Sequence, residues 1–190
     1  MEDLFNDWKI TTPKYDKRFR EPIFDTFSKK GGGSEQAKKS LGKHFSNNYE
    51  LYMYAFFLGL YNDKYVEIPE DAERVDFSHA IQYWGSKSKL DRNDFTNLQE
   101  YMFMALVAKT DIDMVELEKG KVTSSSVVKK LRNTLESFTN GGLILIQELI
   151  EDNKGSLFEN TFFLKQILDS KEEVGGAVGE GEEIETETAE

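Results

Sequence analysis

TSSSVVKKLRNTLESFTNGGLILIQELI, residues 123–150, decides the fold class. Thr123, Ser124, Ser125 and Ser126 carry side-chain oxygens suited to accept from the free amides at a helix start. After them, Val127, Val128, Leu131, Leu135 and Phe138 fall on one helical face, and Lys129, Lys130 and Arg132 fall elsewhere. That spacing predicts a helix to about residue 138. Thr139-Asn140-Gly141-Gly142 then predicts a break, because Asn and Gly suit the left-handed backbone that ends helices. Leu143-Ile144-Leu145-Ile146 has no clear period and reads either as a buried strand or as a buried helix. No second run offers such a strand a partner, so a helix packed on its neighbour is expected over 143–150. The chain then reads as all-α.

The same reading extends outward. A helix is expected over 49–61, with Asn47-Asn48 as cap. Tyr49, Tyr52, Met53, Phe56, Phe57 and Leu60 keep the helical period, and Leu51, Ala55 and Leu58 cover much of the other side. A helix that is apolar nearly all round belongs at the centre of a fold. Gly59 costs about 1 kcal/mol against Ala in such an interior, which close approach of a neighbouring helix would explain. A short helix is expected from Asp76, with Phe77, Ile81 and Trp84 inward and Gly85 at its end. A longer one is expected over 92–109, capped by Asp91 or Asp94, with a stripe of Phe95, Leu98, Met102, Ala105 and Leu106. Met114, Val115 and Leu117 mark a short helix or turn closed by Gly120, and Phe162, Phe163 and Ile167 mark a last helix over 158–168. Gaps of mixed length between these elements predict an irregular orthogonal bundle of about five helices.

On this basis residues 47–170 form the helical domain. Residues 1–46 read as a basic, Gly-rich N-terminal arm with little regular structure. Thr12-Pro13 and Glu21-Pro22 favour extended backbone, Lys29-Lys30-Gly31-Gly32-Gly33-Ser34 reads as a linker, and Ile23, Phe24 and Phe27 are anchors onto the body. Residues 171–190 are rich in Gly, Glu and Thr and are expected to be a disordered acidic tail. The net charge of −11 is uneven: eight Glu and one Lys give the tail −7, whereas residues 9–43 hold ten Lys/Arg against four Asp/Glu. Overall acidity argues against a dedicated nucleic-acid binder, which needs a concentrated basic face. Lys14, Lys17, Arg18, Arg20, Lys29, Lys30, Lys38, Lys39 and Lys43 therefore read either as a solvated charged surface or as nucleic-acid contacts. Met1-Glu2-Asp3-Leu4 is acidic where a secretory signal is basic. The longest apolar run, Leu51 to Tyr61, is too short to span a bilayer. A cytoplasmic protein without membrane contact is expected.

Recognisable chemistry is sparse. The chain has no Cys, which removes disulfides, thiol nucleophiles and Cys-ligated metals. His44 and His79 lie 35 residues apart with no metal-ligand spacing around either. Gly42-Lys43 has Ala37 and His44 where a phosphate loop needs Gly and a hydroxyl residue. Asp111 with Asp113 and Glu116 with Glu118 are the candidate carboxylate pairs, but residues two apart diverge on a helix. Ser124–Ser126 lack the glycine context of a nucleophile elbow. The aromatic side chains fall at helical spacing, so core packing accounts for them better than base stacking does. No catalytic residue, metal, cofactor or small-molecule substrate is assigned. Phe138, Asn140, Gly141, Gly142 and Leu143 stand out, as a tight turn or as a docking point for a partner's backbone.

Met53-Tyr54-Ala55-Phe56-Phe57-Leu58-Gly59-Leu60, then a Pro-containing connector, Ala105-Leu106-Val107-Ala108, and Phe138 to Leu143 follow one another in order and spacing across roughly residues 21–152. Together they resemble a family of small helical proteins encoded beside DNA phosphorothioation systems, which restrict foreign DNA. The helix resembles that family's Phe-Ala-Ala-x-x-Gly segment, and residues 138–143 its Tyr-x-Asn-Gly-Gly-Leu turn. The Gly-rich insert and the acidic tail depart from the pattern. The resemblance implies an accessory role in phage defence, with another protein of the same system as partner, and carries over no catalytic residue. Three functions are thus expected in turn: a non-enzymatic adaptor; a DNA-binding module using residues 9–43, with the acidic tail as autoinhibitor; and a small metal-assisted hydrolase or nuclease.

Overall fold

The computed structural model describes residues 2–28, 44–45, 47–85, 96–152 and 163–164. Helices dominate it, as the sequence predicts, and one two-stranded ribbon stands beside them. The chain opens with α1 (Glu2–Lys9), whose Leu4 and Trp8 are one turn apart and buried. Acids in its first turn and Lys9 in its last suit the helix dipole. The Thr11 hydroxyl donates to the Trp8 carbonyl at 2.7 Å where the helix ends. β1 (Lys14–Asp16) follows, then a 3₁₀ turn (Lys17–Phe19) capped by Asp16, and a π turn (Arg20–Asp25) that buries Ile23 and Phe24. Next come α2 (Asn48–Tyr61), β2 (Arg74–Asp76), a 3₁₀ turn (Ile81–Tyr83), α3 (Thr96–Lys109), α4 (Met114–Glu118) and α5 (Ser124–Asp152). β1 and β2 pair antiparallel, with Lys14 opposite Asp76 and Asp16 opposite Arg74.

Several expectations hold. α2 is buried nearly all round; Asn47 stands at its cap position without a side-chain bond to a helix amide, and its own amide donates to the Glu50 carboxylate at 3.1 Å. α4 starts where the Asp113 carboxylate accepts from the Glu116 amide at 2.9 Å, and Gly120 closes it at φ +71°. At the start of α5 the Thr123 hydroxyl oxygen accepts from the Ser126 amide at 3.2 Å. Phe77, Ile81 and Trp84 are buried, and Gly85 has φ +67°.

Others are corrected. α5 runs unbroken for 29 residues through Asn140-Gly141-Gly142, where a break was expected. Residues 76–84 form the end of a strand and a 3₁₀ turn rather than a helix. Within the supposed arm, residues 2–28 hold regular elements, and Trp8, Tyr15 and Phe19 join the core; Ile23, Phe24 and Phe27 are buried there too, as the anchors the sequence predicts. Their aromatic area drives this docking: burying each side chain is worth roughly 1.5–3 kcal/mol. Tyr15, Phe24, Tyr52, Phe77 and Trp84 form one ring cluster, with Tyr52 and Phe77 centroids 4.4 Å apart. Phe5 and Trp8 of α1 meet Phe103 of α3 at 5.2 and 5.6 Å. The linker at 29–34, residues 158–162 and 165–168, and the tail at 171–190 lie outside the described residues. Among the described residues no helix is long and apolar enough to cross a membrane.

Candidate functional site

The segment expected to dock a partner lies in the middle of α5 and is buried. Phe138, Asn140 and Leu143 are at most 3% exposed. The backbone that docks there is the chain's own, because α2 crosses α5 at Gly59 and Gly142 and the connector after α2 packs on Gly141. A Cβ on Gly142 would overlap the Ala55 carbonyl, 2.6 Å from its carbon. One on Gly59 would overlap the Phe138 carbonyl and stand 2.9 Å from the Gly142 nitrogen. One on Gly141 would overlap the Lys64 carbonyl, 2.8 Å from its carbon. Asn140 uses its side-chain amide to hold the connector after α2, donating to the Val66 carbonyl at 3.1 Å. Phe138, Asn140, Gly141, Gly142 and Leu143 thus join the protein to itself, which corrects their reading as a partner-docking turn.

Of the described cations in the basic stretch, Lys9 lies over the Phe5 ring, 4.9 Å from its centroid, and the four candidate nucleic-acid contacts have carboxylate partners. Lys14 pairs with Asp76 at 3.8 Å, Lys17 with Glu73 at 2.6 Å, Arg18 with Asp16 at 3.1 Å, and Arg20 with Asp25 at 3.9 Å. Arg18 also lies over the Phe19 ring, 4.4 Å from its centroid. These pairs leave little unbalanced positive charge to release counterions from a phosphate backbone. Lys29, Lys30, Lys38, Lys39 and Lys43 lie outside the described residues.

Asp113, Glu116, Ser124 and the His44 ring, among the groups considered for catalysis, have structural partners too. Asp113 caps α4, and Glu116 pairs with Lys119 and Lys121 at 3.7 and 3.0 Å. Ser124 donates to Asp7 at 2.7 Å, tying α5 to α1. The His44 ring stands 4.9 Å from Phe163 and 5.9 Å from Phe27, between centroids, and the His79 carbonyl accepts from the Trp84 indole at 2.9 Å. Among the described residues no group of His, Asp and Glu is placed to hold a metal ion.

Two features escape the sequence reading. The first is Glu136, 7% exposed on the face of α5 that meets the ribbon. It accepts from the Lys14 backbone amide at 2.8 Å, and Arg132 one turn earlier stands 3.6 Å away. Beside it opens a pocket of about 90 Å³ lined by Glu67, Ile68, Arg74, Asn133, Glu136 and Ser137. Burial pushes the Glu136 carboxyl above its ordinary range, against the pull of the Lys14 amide and of the Arg132, Arg74 and Lys14 charges. The Tyr52 hydroxyl donates to the Lys14 carbonyl at 3.1 Å, so both polar groups of the Lys14 backbone are held by helix side chains. Burial, with the Glu136 charge adding to it, pushes the Tyr52 phenol well above its ordinary value.

The second is the outer face of α3. Tyr101 and Met104 are 59% and 65% exposed, and Ala108 lies exposed one turn on. Spacings of three and four place all three on one side of the helix. Met102, Phe103 and Leu106 face the core. The period that predicts α3 selects its inner stripe, so the apolar character of the outer side went unread.

No family model matches this chain, and comparison with curated proteins and with solved structures likewise finds no match.

Proposed function

We propose that this chain is a non-enzymatic accessory protein of a bacterial DNA-modification or phage-defence system, acting in the cytoplasm through contacts with another protein of that system. The observation that carries the reading is the exposed Tyr101–Met104–Ala108 face of α3. An aromatic ring and a thioether side by side on a rigid helix are the side chains that protein interfaces favour at their cores, and Met adapts its shape to a partner surface. The resemblance of residues 21–152 to phosphorothioation-associated proteins supports the choice of system. The carboxylate partners of Lys14, Lys17, Arg18 and Arg20 weigh against the nucleic-acid reading over that part of the chain. The structural roles of Asp113 and Glu116 weigh against the hydrolase reading.

Affinity purification of the tagged protein from its host, with and without nuclease, tests the proposal. A protein partner that survives nuclease, and that Tyr101→Ser with Met104→Ser removes, is the expected result. Partners that vanish with nuclease, or that the double substitution leaves in place, would overturn it.

A further inference from the structure

The Phe163 ring fills a site that other parts of the chain build. Phe27, His44, Phe45 and Tyr54 surround it, with centroids 5.2, 4.9, 5.1 and 5.4 Å from its own. Interplanar angles from 65° to 84° make each an edge-to-face contact, which the ring quadrupole favours. The Tyr54 hydroxyl donates to the Phe163 carbonyl at 2.8 Å, so the nest holds backbone as well as ring. Phe163 is 6% exposed and its neighbour Leu164 is 57% exposed, both on helical backbone, so the side chain enters the nest from a surface segment.

The walls are joined without Phe163. The Phe45 amide donates to the Phe27 carbonyl at 3.0 Å, Ser28 and Phe45 form a parallel bridge, and the Phe45 and Tyr54 rings meet at 5.4 Å. Phe27 is buried in the core, and Tyr54 stands midway along α2. Apolar cavities with walls fixed in this way keep their shape and take up aromatic guests. The occupant is delivered from beyond the end of α5 at Asp152, with residues 153–162 between.

We infer that this nest is a docking site for a helical peptide segment bearing a phenylalanine, that Phe163 fills it in cis, and that a partner protein offering the same side chain engages the protein by taking the place of Phe163. Recognition is of the kind in which a helix lays an anchor side chain into a preformed apolar groove. The four ring edges select an aromatic anchor over an aliphatic one, and the Tyr54 hydroxyl takes the anchor's carbonyl. A tethered occupant competes at high effective concentration. Affinity in trans is therefore reduced by the fraction of molecules in which the nest is vacant, and Phe163 sets the threshold that a partner must exceed. The site is independent of what α3 binds.

Fluorescence anisotropy of a labelled peptide of residues 158–168, titrated with the full-length protein, tests it. Phe163→Ala protein is expected to bind the peptide at least about tenfold more tightly than wild type, whose nest is vacant in less than about a tenth of molecules. Phe163→Leu fills part of the nest, is expected to bind with intermediate affinity, and reads the same exchange if Phe163→Ala does not fold. The peptide carrying Phe163→Ala is expected to bind none of the three proteins. Adding Tyr54→Phe to the Phe163→Ala protein is expected to weaken binding about fivefold, through loss of the bond to the anchor's carbonyl. Equal affinity of wild type and the Phe163 variants, binding that survives the substitution in the peptide, or no binding to either variant would overturn the inference.

Discussion

α2 and α3 are both 14 residues long and both carry apolar side chains around most of their circumference, yet they are covered differently. In α2 only Tyr61, at the end, is exposed. In α3, Tyr101, Met104 and Ala108 reach solvent. The difference lies in the neighbours. α2 has α5 along one side, at a distance set by Gly59 and Gly142, and the ribbon and the aromatic cluster around the rest. α3 touches α1, α5 and the 3₁₀ turn on its inner side. An all-round apolar helix is a statement about how much cover the chain calls for, and this fold supplies full cover to one such helix and partial cover to the other.

The sharpest way to break the comparison is to widen the α2–α5 crossing. Gly142→Ala places a methyl group into the Ala55 carbonyl, which has no rotamer by which to yield. A cost of about 4 kcal/mol is expected, above the usual overpacking range of about 1–3 kcal/mol because the clash is with backbone. For a chain of this size that is a fall in Tm of roughly 8–16 °C. Calorimetry showing a fall of under about 3 °C would mean that the helices separate cheaply. Next in size is the inner stripe of α3. Leu106 is fully buried, so Leu106→Ala is expected to cost about 3 kcal/mol in urea unfolding. A cost near zero would make α3 a peripheral helix on both sides.

Legibility in the sequence followed the same division. α2, α3 and α4 were readable because the apolar period, and Gly120 at the end of α4, act locally. Gly59 was readable as a close approach. The glycines at 141–142 were misread, because a helix end and a tight helix crossing ask for the same residues. Gly costs about 1 kcal/mol in a helix interior, a penalty that packing of α2 on α5 readily exceeds. One signal favoured continuity: Leu135, Phe138 and Ile146 keep a single stripe only if Gly142 continues the helix. The ribbon carried no such signal. Its strands are three residues long, and the groups that hold Lys14, on Tyr52 and Glu136, stand 38 and 122 residues away. The buried Glu136 pocket was therefore invisible, and the N-terminal layer read as an arm for the same reason.

A smaller effect rests on the buried Tyr52 of α2. Tyr52→Phe removes the bond to the Lys14 carbonyl and is expected to cost about 1 kcal/mol at neutral pH. Burial pushes both Tyr52 and Tyr54 above the ordinary phenol value of 10.0. A raised acid favours the native state below the unfolded value, and that contribution is lost as pH climbs past about 10 toward the native midpoints. Wild type should therefore lose stability faster than Tyr52→Phe above pH 10, and the gap between them should close. Parallel stability curves from pH 8 to 11.5 would place the Tyr52 hydroxyl in water.

The smallest expected effect on stability carries the most for function. Met104→Ser changes a side chain 65% exposed with the core stripe behind it untouched, so unfolding should shift by no more than about 0.5 kcal/mol. If the outer face of α3 completes its cover with a partner protein, the same change should remove a contact of interface-core character and weaken capture several-fold. The pairing of the two readouts is what discriminates. A variant that unfolds early and loses its partner shows only that α3 must be folded. One that melts like wild type and binds like wild type shows that this face is ordinary exposed surface, of the kind every soluble protein carries. Only unchanged melting with lost capture ties the uncovered side of α3 to the partner, and it would explain why two helices so alike in sequence are covered so unequally in the isolated chain.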